Sequence, residues 1–369
     1  MNVKLLLYAV IILLGLAFSS GNNLKGNRRK WYVIIIISLL VLESSLRNVY
    51  VGPDTIRYYS SFNSVENMSW GEVLGSFRTA YLEAEGKDPG FTIFMKIINT
   101  FTRDFNIFLF FCALPFFIPL GKLLYRYSSS IIQLVFAFTL YVALFNIVAL
   151  SGVRQQIATG FCFMAFLQLD RNNNWKAILF ILLGATIHIS ALIFAIVPFL
   201  RICSPSLIKS VHLASFATIP FVIVYAAPIM LLLASFLAND YYTIYAESES
   251  ESKGSSYTYI ILMELLSLFC YIALKKDDLK NDKRKKLLYV MLPMLTMTAP
   301  LISLNGAMIR VGQYFTLYMM LLVPAAIDSI AKNVERTALY IGMIAALVFL
   351  TMRSGDFNYY FFWQQVSIL

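Results

Sequence analysis

The chain contains a series of apolar runs, most of them about as long as a bilayer is thick. A helix that spans a membrane needs about 20 predominantly apolar residues. Of the 369 residues 59% are hydrophobic and only 14% are charged, whereas soluble domains have about 25% charged residues. Because so few polar side chains cannot cover a water-facing surface, the sequence predicts an all-α, polytopic integral membrane protein. It argues against a soluble enzyme or a nucleic-acid-binding protein, despite the net charge of +10.

Eleven runs are predicted to be spans, and a twelfth, shorter run is predicted to be interfacial or re-entrant. The spans are Val3–Ser20, Trp31–Arg47, Phe105–Tyr125, Ile131–Leu150, Gly152–Leu169, Trp175–Leu200, Leu207–Ala238, Tyr257–Leu274, Leu287–Leu304, Met308–Ile330 and Thr337–Met352, and the shorter run is Phe91–Phe101. We expect about 11 to 13 transmembrane or re-entrant helices in one polytopic domain, 1–369.

The distribution of lysine and arginine predicts the orientation. Residues 25–30 and 275–286 are strongly basic, and basic connections stay in the cytoplasm. Residues 48–104, with an interfacial helix, and residues 239–256 are then the two large outer loops. Both termini are predicted to be outside.

This orientation requires an odd number of crossings between residues 176 and 240, although two apolar runs lie there. Either Trp175–Leu200 enters the membrane and returns, or Leu207–Ala238 crosses twice. We favour the first, because Thr186, Ile187 and His188 interrupt that run. Non-helical backbone at this depth is tolerated only where it is buried or lines a cavity.

Four arginines lie at predicted outer ends of spans, namely Arg47, Arg154, Arg310 and Arg353. Each is costly at the membrane boundary unless it snorkels or is paired, and Glu43 is one turn from Arg47, where it can pair with it. Because positively charged residues are disfavoured on the outer face, four arginines there together indicate an anionic ligand. Because a guanidinium binds phosphate oxygens with two N–H groups, we expect a phosphate or diphosphate.

Two ionisable residues are candidate functional groups. His188 lies at the predicted interruption, and ionisable residues inside a membrane are candidate functional groups. Asp54 follows Gly52 and Pro53, which is typical of a turn that starts a helix. Tyr58 and Tyr241, on the outer loops, are either part of an interfacial aromatic belt or surfaces for sugar stacking.

No cofactor or metal is predicted. The four cysteines are far apart with no C-x-x-C spacing. Only two histidines are present, and neither H-E-x-x-H nor a P-loop or G-x-G-x-x-G pattern occurs.

Four motifs together resemble the EpsG family of Wzy-type bacterial polysaccharide polymerases. They are Gly52-x-Asp54-x3-Tyr58, Gly152-Val153-Arg154-Gln155-Gln156-Ile157-Ala158, His188-Ile189-Ser190-Ala191-Leu192 and Arg310-Val311-Gly312-Gln313-Tyr314-Phe315. They occur in the family's order and cover most of the chain. The second Gln after Arg154 departs from the family pattern, and so does the tail Asn358–Gln365.

The resemblance implies a glycosyltransferase of the cytoplasmic membrane, similar in fold to the metal-independent GT-C enzymes, that polymerises undecaprenyl-diphosphate-linked repeat units at the outer leaflet. Its substrate is a lipid-linked oligosaccharide in contact with membrane lipid, and flippase and chain-length regulator proteins are expected partners, without nucleic acid. In this interpretation Arg154 and Arg310 bind diphosphate, with Arg47 and Arg353 as weaker candidates. Arg154 is also catalytic, Asp54 and His188 compete as base, and Tyr58, Tyr241 and Gln155 bind sugar.

Three alternatives stay open at this point. An O-antigen ligase differs only in its acceptor. A lipid-linked oligosaccharide flippase uses the same arginines, but the inner halves of the spans have few polar groups to line its path. A membrane O-acetyltransferase needs a deep histidine, for which His188 qualifies.

Overall fold

The chain is helical throughout the part that its computed structural model describes, residues 3–19, 25–83, 86–225, 228, 253–303, 308–353 and 358–366. Among these residues the β-type pairing is limited to an isolated antiparallel bridge between Arg47 and Phe361. The predicted all-α class is therefore confirmed. The chain forms two compact units, one of Met1–Ala195 with Thr337–Leu369 and one of Ile196–Arg336.

The first unit carries ten helices before residue 190 in its described part. They are α1 (Val3–Ser19), α2 (Lys25–Ser45), α3 (Thr55–Ser64), α4 (Trp70–Leu82), α5 (Pro89–Asn99), α6 (Phe105–Tyr127), α7 (Ile131–Leu144), α8 (Asn146–Ser151), α9 (Val153–Asp170) and α10 (Asn174–Ile187). Two 3₁₀ segments, Val65–Asn67 and Ile189–Ala195, accompany them.

Helix α9 is the centre of the first unit, packed against both α6 and α10. Its approach to α6 is close, since a Cβ built on Gly160 would lie 1.9 Å from the carbonyl oxygen of Pro115. Glycine is therefore required for this packing. Burial continues to the beginning of α9, where Gln155 and Gln156 are buried although both are polar. The polar motif at this end thus faces protein.

The second unit follows the 3₁₀ segment Ile189–Ala195. Its helices are α11 (Ile196–Ile202), α12 (Pro205–Ser215), α13 (Thr218–Val224), α14 (Lys253–Ala273), α15 (Lys276–Asn281), α16 (Lys283–Tyr289), α17 (Met291–Thr298), α18 (Ile309–Thr316), α19 (Met319–Ile330) and the beginning of α20 (Asn333–Arg353). A third 3₁₀ segment, Ala299–Ser303, follows α17. Helix α14 packs on α17 and α19, and α12 packs on α17.

Long apolar helices make this a multi-pass membrane protein, but fewer helices reach full span length than the sequence predicted. In the described residues four segments are long and apolar enough to cross a membrane, namely Phe105–Tyr127, Pro205–Val224, Lys283–Ser303 and Val334–Met352. The pair α18 and α19, bent by 43°, is a fifth if it counts as one span. Several apolar runs are divided by backbone breaks, as at Phe145 between α7 and α8. Run length alone therefore overestimated helix length.

The predicted outer loop 48–104 is itself helical. Helix α4 begins with a capping box, in which Ser69 and Glu72 bind each other's backbone N–H groups. The short apolar run at Phe91–Phe101 forms α5, which contacts α3, α4 and α10. This arrangement brings the segment before α5 against the end of α10.

Candidate functional site

The helix interruption predicted near His188 is present. Helix α10 ends at Ile187, and His188 has extended backbone angles (φ −156°, ψ 112°). A Cβ built on Gly184 would lie 3.5 Å from the Cβ of Ala191, whereas seven residues of straight helix span about 10 Å. The chain therefore folds back at His188, and the imidazole lies at the turn.

A second special backbone position faces this turn. Asp88 has a left-handed conformation (φ 56°) and precedes Pro89, the first residue of α5. At Gly90, a Cβ would lie 2.4 Å from Oγ1 of Thr186 and 2.8 Å from its carbonyl oxygen. The sequence Asp-Pro-Gly thus starts α5 in direct contact with the end of α10.

The carboxylate of Asp88 joins Arg154 and the chain turn at His188. Nη1 of Arg154 donates to Oδ2 of Asp88 at 2.6 Å, and Nδ1 of His188 lies 3.4 Å from the same oxygen. The backbone N–H of Ile189 donates to Oδ1 at 3.3 Å. We call these three side chains, Asp88, Arg154 and His188, the Asp88 cluster.

Exposure differs within the Asp88 cluster. The side chain of Asp88 is only 2% exposed, whereas those of Arg154 and His188 are 26% and 23% exposed. The acid is therefore the interior hub of the cluster. The guanidinium and the imidazole are the groups that a ligand can reach.

The charge state of Asp88 follows from its neighbours. Burial acts to raise its pKa, but the hydrogen bond and charge of His188, the charge of Arg154 and the Ile189 N–H together hold that pKa below its ordinary value. Asp88 is thus ionised at neutral pH. An anion beside Nδ1 favours the tautomer that carries its proton there, which leaves Nε2 as the acceptor.

Tyr58 and Asp54, two of the predicted site residues, lie around Arg154. The guanidinium carbon of Arg154 is 5.8 Å from the centre of the Tyr58 ring, and the Tyr58 ring packs edge-on against Phe91. Asp54 is at the N-cap position of α3 but makes no capping hydrogen bond, and its charge acts on Arg154. The structure thus brings Arg154, His188, Tyr58 and Asp54 together.

The remaining predicted residues lie elsewhere or outside the described residues. Gln155 is adjacent to Arg154 in the chain and buried in α9. Arg47, 1% exposed, donates through Nη1 to the carbonyl oxygen and Oγ of Ser44, near the end of α2. Arg310 is in α18 of the second unit. Tyr241 and the side chain of Arg353 are outside the described residues.

The other histidine has a different environment. His212 is fully buried in the second unit, with Nδ1 2.9 Å from the hydroxyl of Tyr289 and Nε2 2.8 Å from that of Ser267. Both ring nitrogens are therefore engaged in core hydrogen bonds. This leaves His188 as the histidine with access to a ligand.

Asp88 is the residue that sequence analysis missed. It stands in a predicted outer loop, 66 positions before Arg154 and 100 before His188, so no local spacing connects the three. The available signal was Asp88-Pro89-Gly90 directly before an apolar run, which is typical of a constrained turn at a helix start.

The model of the EpsG family matches residues 30–364, nearly the whole chain. No curated protein and no solved structure matches it.

Proposed function

This chain belongs to the EpsG family of Wzy-type polysaccharide polymerases, and we propose that it joins undecaprenyl-diphosphate-linked repeat units at the outer leaflet of the bacterial cytoplasmic membrane. A role in polysaccharide polymerisation follows from the family. The lipid-diphosphate donor, the leaflet and the residue roles are the proposal. The observation that carries it is the Asp88 cluster, in which one buried carboxylate holds a cation and an imidazole side by side.

The proposed step is a glycosyl transfer. A hydroxyl oxygen of the incoming repeat unit attacks the anomeric carbon of the growing chain, and the bond from that carbon to the lipid diphosphate breaks. The hydroxyl proton passes to Nε2 of His188, which later releases it to solvent. The lipid diphosphate leaves with the negative charge that the broken bond supplies.

Arg154 is proposed to stabilise that leaving group. A fixed cation aimed at developing charge is among the largest contributions to catalysis. One N–H group of Arg154 is bound to Asp88, which fixes the orientation of the guanidinium plane. Its exposed portion is then available for phosphate oxygens, without the cost of ordering a flexible side chain at the moment of reaction.

The other residues keep supporting roles in the proposal. Arg310 and Arg353 are proposed as additional diphosphate ligands, and Tyr58, Gln155 and Tyr241 as sugar contacts. Arg47 is buried against its own helix end, so we assign it to holding the end of α2 rather than to direct contact. Asp54 remains the competing base.

The experiment is a reconstitution. Purified protein in liposomes receives lipid-linked repeat units extracted from a strain that lacks this polymerase, and the products are separated by length. A ladder of chain lengths supports the proposal. A single addition to a different acceptor would indicate a ligase instead, and movement of unaltered units across the bilayer would indicate a flippase.

The proposed leaflet has its own test. With Cys203, the cysteine that is not buried, replaced by Ser, a cysteine at Asn63 should react with an impermeant thiol reagent in intact cells. A cysteine at Asn281, in the predicted cytoplasmic segment, should react only after the cells are opened. Equal labelling at both positions would contradict the orientation.

A further inference from the structure

A polar groove lies between helices α3, α4 and α5, in the predicted outer segment. It has a volume of about 670 Å³ and is lined by hydroxyl side chains from three helices, namely Ser60, Ser61 and Ser64 of α3, Ser76 and Thr79 of α4 and Thr92 of α5. It reaches Gly86 and Lys87, immediately before Asp88. We call it the hydroxyl groove.

Its chemistry suits a saccharide. Each hydroxyl can both donate and accept hydrogen bonds, as sugar hydroxyls do, and its volume lies within the range of about 300–1,000 Å³ for ligand pockets. The hydroxyls of Ser64, Ser76 and Thr79 donate to backbone carbonyl oxygens of their own helices. Within the described residues, the hydroxyls of Ser60, Ser61 and Thr92 make no such hydrogen bond. The carboxylate of Glu72, which also lines the groove, is already bound to the backbone N–H of Ser69 at 2.6 Å.

A second cavity shares a lining residue, Met68, with the hydroxyl groove. This aromatic cavity, of about 550 Å³, is lined by Trp70 and Phe101, and these residues are 45% and 84% exposed. Exposed aromatic rings offer flat apolar surface for contact with a ligand. The apolar face of a sugar ring suits such a contact.

The charged groups around the aromatic cavity already have partners. Arg103 pairs with Glu66, and the ammonium of Lys96 donates to the carbonyl oxygens of Val65 and Glu66. The surface therefore offers hydroxyls and aromatic faces rather than free charge. This composition favours a neutral, hydroxyl-rich chain over a phosphate or an acidic peptide.

We propose that the hydroxyl groove and the aromatic cavity form one track that binds the saccharide chain presented to the Asp88 cluster. This inference rests on the proposed function. Because Lys87 lines the groove and directly precedes Asp88 in the chain, a saccharide bound there lies close to the position where Arg154 and His188 flank Asp88. The chain is either that of the incoming repeat unit or the growing polymer, and both present the same chemistry.

The test obstructs the groove without touching the cluster. Ser61→Trp places a bulky side chain in the hydroxyl groove, and Asn63→Trp is the matched control, since Asn63 is exposed on the same helix and is not among the groove-lining residues. The reconstituted proteins receive the same extracted lipid-linked repeat units. Since a lost hydrogen bond costs about 1 kcal/mol, several lost contacts should change the affected parameter at least about fivefold.

The affected parameter identifies the chain that is bound. If the track holds the incoming unit, Ser61→Trp raises KM for that unit and leaves product length unchanged. If it holds the growing polymer, products become shorter while KM is unchanged. Asn63→Trp should match the wild-type protein in both. Wild-type KM and wild-type lengths in Ser61→Trp would overturn the proposal.

A second variant and a second readout cover the remaining outcomes. If Ser61→Trp does not fold, Ser61→Ala with Thr92→Val removes two hydroxyls without added bulk and should weaken the same parameter. Binding is also measured directly, by saturation-transfer NMR with oligosaccharides released from the exported polymer by mild acid. If the groove variants abolish this binding, the result supports the track even where the protein forms no ladder. If binding is unchanged in the variants, the track is refuted, whatever the outcome for the proposed function.

Discussion

Two arginines at predicted outer helix ends have opposite environments in the first unit. Arg154 is partly exposed and bound to a carboxylate that also holds His188. Arg47 is fully buried and donates to Ser44. The residues on either side of Arg47 pair with the tail of the chain: the N–H of Asn48 donates to the carbonyl oxygen of Tyr360, and the N–H of Phe362 donates to that of Leu46.

The acids near the two arginines also differ, in the residue that each one contacts. Asp88 contacts its arginine directly at 2.6 Å. Glu43, near Arg47, instead accepts a hydrogen bond from the side-chain amide of Asn146 at 2.7 Å. Both regions combine an arginine and an acid, but only the first presents its cation to a ligand. Exposure, rather than residue type, separates a candidate site from a structural contact.

The largest expected effect is at Arg154. Arg154→Lys keeps the charge but loses the planar pair of N–H groups, so polymerisation should fall at least about 10²-fold. The measurement is the rate of ladder formation at equal amounts of folded protein. A wild-type rate in this variant would show that the reaction does not depend on the guanidinium of Arg154, and Arg154 would then not differ from Arg47 in function.

Asp88→Asn should come next. It keeps the shape of the side chain but removes the charge that orients the guanidinium and the imidazole, and we expect a loss of about 10- to 100-fold in rate. A variant with wild-type turnover would show that His188 and Arg154 need no common partner.

The same variant also gives a pH test of stability. Because the folded-state pKa of Asp88 is below its ordinary value, the ionised carboxylate stabilises the folded state above about pH 4. That contribution is lost as the pH falls through the lowered pKa. In detergent, the wild-type excess in Tm over Asp88→Asn should shrink as the pH falls below about 4. An excess that grows below about pH 4 would contradict the assigned direction.

Gly90→Ala tests the contact that positions Asp88. The added methyl meets the backbone of Thr186, so α5 must shift away from α10, and a displacement of this kind should lower turnover about tenfold. Gly75→Ala in α4 is the control, since a Cβ there meets nothing within 4 Å. Equal activities would show that the approach of α5 to α10 is unimportant for the reaction.

The smallest effect on turnover is expected at Arg47. Arg47→Met removes the hydrogen bonds that Arg47 donates to Ser44, which should lower the free energy of unfolding by about 1.5–3 kcal/mol. Turnover per folded molecule should stay within about twofold, because no described contact joins Arg47 to the Asp88 cluster. A loss as large as that of Arg154→Lys would place Arg47 in the reaction.

The sequence predicted the helical membrane class, the interruption at His188 and Arg154 as a candidate, because apolar runs and intramembrane charges are local signals. Helix lengths were less predictable, since a break such as the one at Phe145 depends on packing between helices. Asp88 could not be predicted, because its proximity to Arg154 depends on how α5 meets α10. Likewise, burial distinguishes Arg47 from Arg154, and spacing along the chain does not report burial.

The most direct test of the Asp88 cluster as the centre of glycosyl transfer separates donor binding from turnover in His188→Gln. Glutamine hydrogen-bonds but cannot accept a proton at working pH. The reconstituted variant should therefore bind the lipid-linked donor as the wild type does, while its turnover falls at least about 10²-fold. Asp54→Asn should retain most of its turnover. Near-normal turnover in His188→Gln together with inactive Asp54→Asn would contradict the account and assign the base to Asp54.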